Sequence, residues 1–202
     1  MAIDTDKLDA DELLHLAIEA ANRDDHARAI TYLKSIQADH SSSPNYAGAL
    51  FFLGSEYAQI GMYDRGVEEM MRSLEVNPDF HIARFQLGLL HLTSGRAQQA
   101  REVWAALALI GDAHPEAYLK LFWEGLEALI DDDFEKCRAL LERGKAANQI
   151  NLPLNTDMQQ VIDSLPSTES TTPPDQPAAT PAGTEPAAQN ADHLFLSAYR
   201  NK

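Results

Sequence analysis

Apolar residues along this chain recur at the spacing of helices rather than strands. In AGALFFLGSEYAQIG, residues 47 to 61, Leu50, Leu53 and Tyr57 fall on one helical face and Gly61 ends the run. YDRGVEEMMRSLEVNPDF, residues 63 to 80, gathers Val67, Met70, Met71 and Leu74 on one side, and its helix stops before Pro78. NTDMQQVIDSL, residues 155 to 165, offers Asn155 or Thr156 as a cap and Met158, Val161, Ile162 and Leu165 as an apolar face. No segment sustains the two-residue alternation of a strand. The longest apolar run, Val103 to Ile110, has the length of a buried helix segment and is far short of a bilayer span.

The same pattern returns at a fixed period. Leu53 and Gly54 recur as Leu87 and Gly88, Gly61 as Gly95, and Phe51 as Phe85, each 34 residues on. Leu50, Leu53, Gly54, Tyr57, Gly66, Met70 and Pro78 occupy the places of the pattern W-x2-L-G-x2-Y…A-x3-F…P. Arg84, Leu87, Gly88, His91, Ala100 and Trp104 occupy them again. The chain therefore resembles the tetratricopeptide repeat family. Weaker copies flank these two. Leu13, Leu16, Ala17, Ala29 and Leu33 precede them, with ADHSSSP as the expanded loop; Leu121, Gly125, Cys137 and Leu141 follow, with GDAHPE as the loop. The fourth copy departs from the pattern at Glu124, where Leu is expected, and at Ala128, where Tyr is expected.

The expected fold is all-α: a right-handed superhelical solenoid of about four helix hairpins with a C-terminal capping helix. An N-terminal extension occupies residues 1–9. The repeats fall near 10–43, 47–80, 81–114 and 118–151, and the capping helix near 155–165, within a domain of residues 10–165. The small residues Ala29, Gly66, Ala100 and Cys137 mark the places where the two helices of a hairpin cross closely.

In the family that the chain resembles, the first helix of each pair lines a concave surface. The corresponding residues are Gly48, Phe51, Phe52, Ser55 and Gln59; then Ile82, Phe85, Gln86, Leu89 and Thr93; then Leu119, Phe122, Trp123, Leu126 and Ile130. This lining is aromatic and aliphatic. It holds no Lys, Arg or Asn with which to clamp a carboxylate, so an apolar peptide or amphipathic helix is the expected ligand. The aromatics Phe51, Phe85 and Phe122 also suit packing between neighbouring repeats, which leaves both roles open.

Composition narrows the partners further. The formal charge of −15, from 31 acidic and 16 basic residues, disfavours nucleic acid and anionic membranes. Cys137 is the lone cysteine, so no intrachain disulfide or zinc knuckle forms, and the acidic start MAIDTDKLDADELL is unlike a signal peptide; a cytoplasmic location is expected. No phosphate loop, HExxH or GxSxG is present, the seven histidines are scattered, and Asp131, Asp132 and Asp133 sit where they cap the next helix. Catalysis, cofactors and metals are not expected. His91 takes the place of a packed aromatic, and Cys137 that of an inert buried thiol.

From 166 to 190 the chain is Pro, Thr, Ser, Ala, Gln and acid, a composition expected to be a disordered linker spanning roughly 25–30 Å. Residues 191–202, ADHLFLSAYRNK, then present Leu194, Phe195, Leu196 and Tyr199 as an apolar docking motif. Four roles remain open for it: docking on another protein, docking on these repeats in cis or between protomers, extending the last repeat, or no defined role. The reading as a whole is a non-enzymatic scaffold or adaptor that binds protein partners. A chaperone of the type III secretion class, to whose repeats FFLG and GMYDRG look similar, and an accessory subunit of an enzyme or envelope complex are the alternatives.

Overall fold

The computed structural model describes residues 8–39 and 45–166. The linker from 167 onward and the docking residues Leu194, Phe195, Leu196 and Tyr199 lie outside the described residues. Nine α-helices and no strands occur among those described. They run α1 Ala10–Ala21, α2 His26–Asp39, α3 Tyr46–Gln59, α4 Tyr63–Val76, α5 His81–Thr93, α6 Ala97–Trp104, α7 Tyr118–Ile130, α8 Phe134–Ala147 and α9 Leu152–Ser164. Successive helices pair as antiparallel hairpins, α1 with α2, α3 with α4, α5 with α6 and α7 with α8, and α9 closes on α8. The fold is an all-α solenoid of helix hairpins.

Each hairpin reverses in the same way. The chain enters the left-handed region at Asp24, Gly61, Gly95 and Asp132, with φ of 57°, 76°, 74° and 57°. In each turn the next amide N–H reaches back five residues to a carbonyl: Asp25 to Ala20, Met62 to Tyr57, Arg96 to His91 and Asp133 to Ala128, at 2.8–2.9 Å. These bonds satisfy carbonyls that a helix end leaves without a partner. Glycine makes the turn without steric cost in the middle hairpins, and aspartate, one of the few L residues that tolerates it, serves in the outer two. At the start of α1, Asp9 accepts from the amides of Asp11 and Glu12 at 2.9 Å while Glu12 accepts from the Asp9 amide at 3.0 Å, a reciprocal cap.

Close crossing sets the geometry within a hairpin. A Cβ on Gly54 would lie 2.8 Å from the Gly66 carbonyl oxygen and 2.7 Å from Met70 Cγ, so α3 and α4 meet backbone to backbone. In the third hairpin Trp104 fills the space over Gly88, and its indole N–H donates to the Phe85 carbonyl at 2.9 Å. In the fourth, Gly125 faces Leu141 and the backbone of Cys137.

Neighbouring hairpins are tied by polar bonds as well as by apolar packing. His26 Nδ1 on α2 lies 2.9 Å from the buried carboxylate of Glu56 on α3, and within the second hairpin Ser73 Oγ donates to the Ala47 carbonyl at 2.7 Å. Arg101 reaches from α6 to Asp131 at 2.5 Å, and Arg96 reaches Asp64 at 2.6 Å.

Two expectations are corrected. The apolar run Val103 to Ile110 is not one buried helix: α6 ends at Trp104 and a 3-10 helix follows over Ala105–Leu109. Trp104, Leu107 and Ile110, three residues apart, are all buried, whereas Leu109 is 87% exposed. Three residues per turn places those three on one line, which an α-helix would not do. The closing helix begins at Leu152 rather than at a cap on Asn155 or Thr156, with Pro153 in its first turn. Asn155 is instead an internal tie. Its amide donates to the carbonyls of Lys145 and Asn148, and its oxygen accepts from Asn148 at 2.8 Å.

The two kinds of helix glycine behave oppositely on substitution. Gly88→Ala drives a methyl into Trp104 and lowers stability by about 1–3 kcal/mol. Gly48→Ala, in the first turn of α3, meets no described residue within 4 Å and raises stability by up to about 0.5–1 kcal/mol. Urea unfolding of the two variants against the parent measures both.

Candidate protein-binding surface

The first helices of the last three hairpins, α3, α5 and α7, present equivalent residues in register. Phe51, Phe85 and Phe122 are wholly buried. The Phe51 ring lies 5.4 Å from Phe80, Phe85 lies 6.1 Å from Trp104 and 6.2 Å from Phe122, and Phe122 lies 5.5 Å from Tyr118 and presses against Gly144. Of the two roles left open for them, these rings take up packing between repeats. Ser55, Gln86, Leu89 and Leu126 are also buried. Phe52, Gln59 and Trp123 are half-buried. The expected lining is therefore divided: most of it is core, and a narrower set reaches the surface.

The polar atoms in this set carry information that spacing did not. Gln86 is buried, and neither its carboxamide nitrogen nor its oxygen has a hydrogen-bond partner among the described residues. Gln59 Nε2 and Trp123 Nε1 are likewise buried without partners among the described residues. By contrast Ser55 Oγ is satisfied by the Phe51 carbonyl at 3.0 Å. An unmet buried donor or acceptor costs about 1–3 kcal/mol. Gln86 stands on α5 where Phe52 stands on α3 and Trp123 on α7. Three successive repeats thus place an aromatic, a carboxamide and an indole at one equivalent position.

Groups with chemical potential elsewhere are held by packing. Cys137 is fully buried on α8, and burial pushes its thiol up from the ordinary range, which suppresses the reactive thiolate. Burial, reinforced by the nearby Arg96 charge, holds His91 below the usual histidine range, and its Nδ1 has no partner among the described residues. Burial also raises Tyr118 well above the ordinary tyrosine value. Of the three aspartates, Asp133 caps α8 by accepting from the Lys136 amide at 3.1 Å, Asp131 pairs with Arg101, and Asp132 makes the turn.

Residues 47–80, comprising α3, α4 and the approach to α5, match the family model of the tetratricopeptide repeat. The chain carries a tetratricopeptide repeat. The matched segment contains Leu50, Leu53, Gly54, Tyr57, Gly66, Met70 and Pro78, and the structure shows why the small pair is required, since Gly54 and Gly66 meet at the crossing. A comparison with curated proteins finds no match. Tetratricopeptide repeats are in general protein-interaction modules, which places protein partners ahead of other ligands. No helix among the described residues is long and apolar enough to cross a membrane.

Two outcomes test these environments. Cys137 in the native protein labels with a thiol reagent orders of magnitude more slowly than in denaturant, because reaction waits on opening of α8; equal rates would show an accessible thiol. For His91 the folded value lies below the unfolded one, so the unfolded state binds more protons as pH falls. Its stabilising contribution is complete above about pH 6.5, the ordinary histidine value, and is lost as pH falls from there through the folded value. Thermal unfolding between pH 7 and 5 therefore shows a smaller decline for His91→Phe than for the parent.

Proposed function

We propose that this tetratricopeptide repeat protein is a non-enzymatic scaffold that holds an extended apolar segment of a partner protein along the first helices of its last three repeats. The observation that carries this reading is the buried carboxamide of Gln86, without a partner among the described residues, at the place on α5 that the half-buried rings of Phe52 and Trp123 hold on α3 and α7. On binding, Gln86 turns its carboxamide outward to an extended main chain, which offers an N–H and a C=O side by side, whereas a helix has already used its own. Phe52 and Trp123 supply flat apolar area for the partner's side chains, and the free indole N–H adds a donor. The net charge of −15 favours a segment with basic or neutral flanks. The lone, buried thiol suits a reducing compartment such as the cytoplasm.

Residues 191–202 enter this reading as a tethered second contact of the same apolar chemistry, through Leu194, Phe195, Leu196 and Tyr199. Tethering by the preceding linker raises its local concentration to the millimolar range, so it serves either as a second hold on a partner or as a competitor for the protein's own repeats. A chain ending at Asn190 separates the two. Tighter binding of a groove ligand marks the competitor, weaker binding marks the second hold, and unchanged affinity removes the tail from this function.

Gln86 gives the sharper test. Peptides selected from a displayed library on the full chain are measured by fluorescence anisotropy against the parent, Trp123→Ala and Gln86→Leu. Trp123→Ala weakens binding by about tenfold or more, the loss typical of an aromatic anchor. Gln86→Leu removes two unmet polar atoms, so it raises the unfolding midpoint while weakening the same peptides. Peptides indifferent to both changes would place binding elsewhere.

A further inference from the structure

His81 begins α5, at the entry to the third hairpin, and His114 and Glu116 lie in the loop that leads into α7. Although 33 residues separate the histidines, the fold brings their rings to 5.2 Å between centroids, edge to face at 80°. One ligating atom from each histidine and from the Glu116 carboxylate lie within 4.8 Å of one another. His81 and Glu116 are half-buried and His114 is exposed, so solvent reaches the group from one side.

We propose that His81, His114 and Glu116 form a binding site for a divalent transition-metal ion, with zinc as the best-suited occupant. Two imidazoles and one carboxylate make a donor set that suits zinc, cobalt or nickel and disfavours magnesium and calcium, which take oxygen ligands. Zinc bonds to nitrogen and oxygen are about 2.0–2.2 Å long, so the three donors need only close by about an ångström around the ion. Three protein ligands and an open side leave a fourth position for water.

The His114 ring already has a fixed orientation, since its Nδ1 accepts from the Glu116 amide at 3.1 Å. A neutral ring accepting there carries its proton on Nε2. The lone pair offered to the ion is therefore the one at Nδ1, and binding exchanges that hydrogen bond for coordination. The cost lowers affinity without removing the site. Lys120 does not compete as an internal cation, because it is held by Asp112 at 2.8 Å and by the Ile110 carbonyl at 3.2 Å.

A metal here would join the start of the third hairpin to the loop entering the fourth. At this junction the 3-10 helix shares the packing onto α7 with α5 and α6. Occupancy is thus expected to stiffen the join between the two halves of the proposed binding surface.

The test uses the full chain. Cobalt(II) titration gives a saturable visible absorption of one equivalent, and zinc raises the unfolding temperature. His81→Ala and His114→Ala each lower cobalt affinity by at least about tenfold and abolish the zinc-dependent rise. Far-UV circular dichroism checks that the variants stay folded, and Gly111→Ala, in the same loop with nothing within 4 Å, is the control that keeps cobalt binding. A parent without saturable absorption, or a His81→Ala/His114→Ala double variant that retains it, overturns the proposal.

Discussion

The structure depends on how closely two helices approach inside each hairpin. At Gly54 and Gly66 the approach is set by backbone atoms, with no side chain between them, and at Gly88 it is set by the indole of Trp104 lying across the bare glycine. Close crossing aligns the two helices of a hairpin and leaves their remaining apolar faces directed at the next hairpin. A methyl group at either contact pushes the helices apart by more than a packed interior tolerates. The left-handed turns at residues 24, 61, 95 and 132 repeat the same reversal four times.

Once the hairpins are set, neighbouring repeats need something large to fill the wedge between them. Phe51 with Phe80, and Phe85 with Phe122, fill it. The third repeat solves the problem differently from the second, since its second helix is short and hands over to a 3-10 turn that sends Leu107 and Ile110 inward. That local change of period also shapes the loop from 111 to 117, which carries His114 and Glu116 to His81. The candidate metal site is thus a by-product of how one repeat joins the next.

The candidate binding surface has a similar origin. Residues on the first helices that are one place apart have opposite fates: Phe51 and Phe122 are sealed in the core, while their neighbours Phe52 and Trp123 reach the surface. Gln86 occupies the surface register yet is buried, and its polar atoms are unmet. Ser73 and Asn148 are buried and well bonded, whereas Gln86 shares with Gln59 and Trp123 on the first helices polar atoms that no described residue meets, and the proposed function gives these atoms to a partner.

Much of the fold was legible from the order of residues. The 34-residue recurrence of Leu-Gly pairs, the glycines at 61 and 95 and the proline at 78 carry backbone demands that few other residues meet, so they announce hairpins without any knowledge of tertiary contacts. The run Val103 to Ile110 misled because apolar residues signal burial but not helical period, and only the space between α5 and α7 selected three residues per turn. Asn155 misled because its side chain bonds to α8, a partner that local spacing does not reveal. The sequence by itself determined the repeating hairpin, the small residues at its crossings and the register of the first-helix faces, since these follow from local sterics. Tertiary structure alone decided which side of that register was sealed, which carboxamide was left without a partner and which distant histidines met, because each depends on the angle between repeats, a quantity set by packing rather than by any one segment.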